Sequence, residues 1–68
     1  MLTQREVLTL EKILKKNRMN KIKPSNKVEL AKELGTTRQQ IYYCCHTEHI
    51  NNSARVEKLL KNFIKENN

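Results

Sequence analysis

Apolar residues recur along the chain at three- and four-residue intervals, separated by short polar stretches, a pattern of successive amphipathic helices. The first is predicted from about Thr3 to Asn17. Thr3 and Glu6 form a T-x-x-E capping box, and Val7, Leu10, Ile13 and Leu14 follow near the helical period. Lys15, Lys16 and Arg18 suit the negative end of that helix. The polar stretch Arg18–Ser25 holds the only proline, Pro24, and reads as a loop, with Met19 and Ile22 expected to pin it to the core. A second helix starts near Asn26 or Lys27, with Asn26 and Glu29 as a capping pair and an apolar face of Val28, Leu30, Ala31 and Leu34. Gly35, the only glycine, stops it, since the left-handed conformation after a helix end costs glycine least. Thr36 or Thr37 caps a third helix running from Arg38 to about Cys45. After a polar loop, a fourth spans roughly Ser53 to Glu66. Its stripe of Val56, Leu59, Leu60, Phe63 and Ile64 is the clearest in the chain, with Lys58, Lys61 and Lys65 off it.

The expected fold is therefore all-α: one compact domain over residues 1–68, with four helices counted. At 68 residues the chain is one domain and too small to build a roomy catalytic cleft from its own core. One Gly and one Pro exclude a collagen-like chain and count against a turn-rich β-barrel. The adjacent Cys44 and Cys45 cannot staple distant segments, so the chain is not a disulfide scaffold. No apolar run is long enough for a membrane span and no secretory signal is visible, so a cytoplasmic protein without a membrane partner is expected.

Charge sharpens the picture. Fourteen Lys and Arg against seven Asp and Glu leave a net +7, which argues for a polyanionic partner. Half of the positive charge lies in Lys12, Lys15, Lys16, Arg18, Lys21, Lys23 and Lys27, with no acidic residue between Lys12 and Val28. Such a run is either a solubility feature or a set of phosphate contacts.

Two short helices joined by a tight, glycine-containing turn are the basis of a DNA-binding motif. Here Ala31 lies four residues before Gly35, Ile41 six after it and Cys44 nine after it. Ala31 suits the crossing of the two helices, where a longer side chain would force them apart. Leu30, Leu34, Ile41 and Cys44 suit the faces that fix one helix against the other.

The stretch from Leu30 to Ile41, with its Gly35-Thr36-Thr37 turn and Arg38-Gln39-Gln40 helix start, resembles the helix-turn-helix of the lambda repressor and Cro family of phage regulators. The resemblance covers about Asn26 to His46 and is loose outside it. The family usually has five helices. The resemblance implies base contacts from Arg38 and Gln39, and from Tyr43 one turn later. It implies phosphate contacts from Asn26 and Lys27, with Thr37, Gln40 and His46 as secondary backbone contacts and the loop residues Lys21 and Lys23 nearby. The chemistry is sound without the family. Arg can grip guanine, and Gln adenine, each with two hydrogen bonds, and a helix N-terminus favours a phosphate. The implied function is a sequence-specific repressor from a phage or mobile element, binding double-stranded operator DNA as a homodimer and occluding a promoter. Phe63 and Ile64, late in the chain where intramolecular cover is thin, are the expected dimer contacts.

The same residues admit blander and rival readings. Arg38, Gln39 and Gln40 in isolation would read as a solvated helix start. Cys44, Cys45, His46 and His49 lack the ligand spacing of a structural zinc site, because neighbouring helical side chains diverge by about 100°. No metal, cofactor or small-molecule ligand is expected; Cys44 is assigned to the core and Cys45 to a partly exposed thiol. Of Tyr42 and Tyr43, one is expected to pack and the other to touch DNA. The main alternative is a basic module of the same fold that targets an acidic host protein. A single-strand or RNA binder is a further rival. An enzyme is the weakest reading, with no nucleophile–base set at useful spacing and no glycine-rich phosphate loop.

Overall fold

The computed structural model describes residues 1–46 and 52–68, and over these the chain forms α1 (Gln4–Met19), α2 (Lys27–Leu34), α3 (Arg38–His46) and α4 (Ala54–Asn67). Among the described residues there is no strand. Local chemistry sets each helix start. Thr3 Oγ1 accepts the Glu6 N–H at 3.2 Å while Glu6 Oε1 accepts the Thr3 N–H at 2.9 Å, closing the predicted capping box. Asn26 Oδ1 accepts the Glu29 N–H at 2.9 Å, Thr37 Oγ1 the Gln40 N–H at 3.2 Å, and Ser53 Oγ the Val56 N–H at 3.3 Å. Each satisfies a backbone donor that the helix itself cannot.

Helix α1 runs to Met19, past the expected end at Asn17, because Lys, Arg and Met are good helix formers and nothing before Asn20 interrupts them. The turn comes at Lys21, whose φ is +56°, and is closed by Ile22 N–H to Asn17 O at 2.8 Å. Met19 and Ile22 do not pin this loop; they are 74% and 53% exposed. The anchor is polar instead. Pro24 is buried and its carbonyl accepts Asn17 Nδ2 at 2.9 Å, which satisfies a loop carbonyl with a side chain already fixed on α1.

Gly35 ends α2 with φ +70° and ψ +36°. Its N–H reaches Lys32 O at 3.3 Å and the Thr36 N–H reaches Ala31 O at 2.9 Å, the paired bonds of a Schellman cap. This cap turns the chain directly into α3.

Helix α1 packs on α4, and α3 packs between α2 and α4. The core comprises Leu2, Leu10, Ile13, Leu14, Leu30, Ala31, Ile41, Cys44, Cys45, Val56, Leu60, Phe63 and Ile64. Leu2 joins this core from before the first helix. It is 2% exposed, and its N–H donates to Cys44 O at 2.7 Å, tying the segment before α1 to α3. Three expectations are corrected. Val28 is exposed, at the outer edge of α2. Cys45 is 6% exposed, not partly exposed, because α3 is covered on two sides and adjacent residues both turn inward. Phe63 and Ile64 are 7% and 8% exposed and join Leu10 and Leu14 in the monomer core, so they form no surface patch for a second subunit. The close packing of α1 on α4 supplies the cover that the end of the chain was expected to lack.

Candidate nucleic-acid interface

The cap at Gly35 and the Thr37 N-cap leave the first turn of α3 outside the core, with Arg38 and Gln39 both exposed. Ile41, Cys44 and Cys45 bury the opposite side of the helix. Tyr43, one turn after Gln39, is half-buried, and its hydroxyl accepts Gln39 Nε2 at 2.9 Å. Tyr42 is 50% exposed. Its ring meets Tyr43 edge-on, with centroids 6.3 Å apart and planes at 65°, and lies 5.0 Å from the exposed His46 ring. The outer side of α3 is thus a continuous polar and aromatic surface from Arg38 to His46.

Beside Arg38 opens a groove of about 280 Å³ lined by Glu11, Leu14, Arg18, Ser25, Asn26, Lys27, Val28 and Arg38. Three helices build it. The far part of α1 contributes Arg18, the N-terminus of α2 contributes Asn26 and Lys27, and the start of α3 contributes Arg38. Lys27 Nζ lies 3.0 Å from Glu11 Oε1, so a phosphate entering the groove competes with a carboxylate for that ammonium. In the sequence Arg18 stands out only as part of the basic run. Helical spacing carries the signal that assigns it here, since Glu11, Leu14 and Arg18 fall on one face of α1.

The structure divides that basic run. Arg18 and Lys27 border Arg38, whereas Lys12 and Lys16 line a hollow with Asn67 and Asn68 at the end of α4. Lys23 lies in another hollow with Pro24, Glu29, Lys32 and Glu33, and Lys21 is exposed at the loop turn. Lys23 is therefore not brought to the Arg38 groove. Thr37 is exposed, with its hydroxyl oxygen occupied by the cap of α3. Gln40 is half-buried, and its Oε1 is shut from solvent without a hydrogen-bond partner among the described residues.

The electrostatics follow from these placements. The Ser25 hydroxyl and backbone N–H hold the Glu29 carboxyl below its ordinary value, with Lys23 and Lys32 adding to the effect. Burial pushes the Cys45 thiol up to about 11, against the pull of Lys27, and raises Cys44 as well. Both thiols are therefore protonated at neutral pH. His49, close to both cysteines in the sequence, lies outside the described residues.

Among the described residues no helix is long and apolar enough to cross a membrane. The chain matches no protein-family model, and comparisons with curated proteins and with solved structures give no match either.

Proposed function

We propose that this protein is a sequence-specific, duplex-DNA-binding transcriptional regulator that inserts α3 into the major groove. The observation that carries the reading is the exposed start of α3, with Arg38 and Gln39 side by side, flanked by the cationic groove of Arg18, Asn26 and Lys27. An Arg guanidinium has two donors for guanine O6 and N7, and a Gln amide matches adenine N6 and N7. The N-terminus of α2 adds backbone N–H dipoles where a phosphate would lie. The globule measures 36 × 23 × 17 Å, which suits one major-groove half-site.

The resemblance of residues 26–46 to the lambda repressor and Cro family extends the proposal. The protein acts as a repressor from a phage or mobile element, in the bacterial cytoplasm, by occluding a promoter. It binds as a homodimer on a two-fold operator, because one module offers few base contacts. With Phe63 and Ile64 in the core, the subunit contact lies elsewhere.

Selection of bound duplexes from a random library tests the reading. Enrichment of a defined site supports it. A dimer neutralising ~6–8 phosphates gives a slope of log K against log salt of about −5 to −7. A slope shallower than about −2, or no enrichment, would favour the basic module that targets an acidic protein.

A further inference from the structure

Gln39 and Tyr43 are four residues apart on α3, so their side chains share one face. Their hydrogen bond has a direction: Gln39 Nε2 donates and Tyr43 Oη accepts, at 2.9 Å. Tyr43 is the better anchored of the two. Its ring is half-buried and held edge-on by Tyr42, while Gln39 projects into solvent.

A glutamine amide offers two N–H donors on one end and an acceptor oxygen on the other. Its terminal torsion is broad, so an untethered amide presents either end to the groove. With the N–H trans to Oε1 on Tyr43, the other stays beside Oε1 as an adjoining acceptor and donor. Among major-groove edges, adenine offers the complementary couple, N6–H and N7. Guanine offers two acceptors, cytosine a donor, and thymine an acceptor and a methyl group.

We propose that Tyr43 is a positioning residue, not a base reader, and that it fixes the Gln39 amide so that the pair selects adenine at one operator position. The N–H trans to Oε1 goes to Tyr43; the cis N–H and Oε1 go to the base. This rests on the reading of α3 as a major-groove helix and deepens it by naming the base and the device that selects it.

The test is selection from random duplexes by the wild type, Gln39→Ala and Tyr43→Phe. Wild type is expected to select adenine at one position, and Gln39→Ala to erase that preference. Tyr43→Phe keeps the ring and loses only the hydroxyl. It is expected to lower the adenine preference at that position by about two- to tenfold, the worth of one hydrogen bond in a water-excluded contact. Its other positions and its affinity for random duplex should stay within about twofold of wild type. An unchanged adenine preference in Tyr43→Phe, or an equal loss at every position, overturns the proposal while leaving DNA binding intact. Absence of any enriched site with wild type overturns the DNA-binding reading and this inference together. Independently of any variant's folding, nuclear magnetic resonance of the wild type should show cross-relaxation between a Gln39 Nε2 proton and the Tyr43 ring. Its absence overturns the tether.

Discussion

The carboxylate of Glu29 accepts two hydrogen bonds from Ser25, one from the backbone N–H at 2.7 Å and one from the hydroxyl at 2.6 Å. The sequence pairs Glu29 with Asn26. The structure keeps the Asn26 half of that cap and moves the glutamate's own contact one residue earlier, to Ser25. Glu29 thereby fastens the end of the loop to the first turn of α2, next to the groove that holds Asn26 and Lys27.

This contact predicts an acid dependence. The folded-state value of Glu29 lies below its ordinary 4.5, so its contribution to stability is complete above about that pH, where both states are ionised. As pH falls below 4.5 the unfolded chain takes up the proton first, and the contribution is lost as pH passes through the folded value. Thermal melting of wild type and Glu29→Gln should differ at pH 7, with wild type the more stable, and converge in acid. A difference that stays constant with pH would refute the assignment.

Gly35→Ala should destabilise through the backbone alone. Apart from its two chain neighbours, no atom of the described residues lies within 4 Å of where the added Cβ would sit, yet φ is +70°. A left-handed conformation costs an L-residue roughly 1–2 kcal/mol. For a domain of this size that lowers the melting midpoint by about 4–16 °C. Gly35→Asn should lose less, since Asn tolerates this region better. Circular dichroism melting of the two variants orders them; an Ala variant as stable as wild type would remove the cap from the account of the turn.

The thiols should be inert in the native protein. Burial raises both, with Cys45 pushed up to about 11, so little thiolate exists at neutral pH and access is closed. Labelling by a disulfide reagent at pH 8 should be slow and should accelerate on adding denaturant. The raised value also bears on alkaline stability. The native state holds the Cys45 proton after the unfolded chain has released it, so this contribution is complete below the ordinary 9.0 and declines between 9.0 and about 11. Cys45→Ala should flatten the alkaline limb of the melting profile.

On the proposed DNA-binding reading, removing Glu11 should strengthen binding without changing what is read. Its carboxylate holds Lys27 Nζ at 3.0 Å within the cationic groove. Glu11→Gln should raise affinity about two- to fivefold on operator and random duplex alike, the scale of an exposed ion pair. Arg38→Ala should instead cost about 1–3 kcal/mol on the operator and little on random duplex. Equal losses on both for Arg38→Ala would mean that α3 does not enter the major groove.

The sequence by itself determined the helices, where they start, and the stop of α2. Apolar spacing places α1 to α4, and the caps at Thr3, Asn26, Thr37 and Ser53, with the stop at Gly35, rest on groups within three or four residues of one another. Such local chemistry is legible without knowing what packs where. The exposure of Arg38 and Gln39 was legible too, because Ile41 and Cys44 fix the buried side of the same short helix. Only the tertiary structure decided the rest. Cys45 is buried because α3 has neighbours on two sides, and Leu2 because the chain before α1 bonds to Cys44. Phe63 and Ile64 went to the core because α1 covers the end of α4. Arg18 and Arg38, twenty residues apart in the chain, line one groove, while Lys12 and Lys16 turn to another surface. These outcomes depend on how helices far apart in sequence are arranged around a shared core. The period of one helix gives its apolar face, but not the partner that covers it or the charges set beside it.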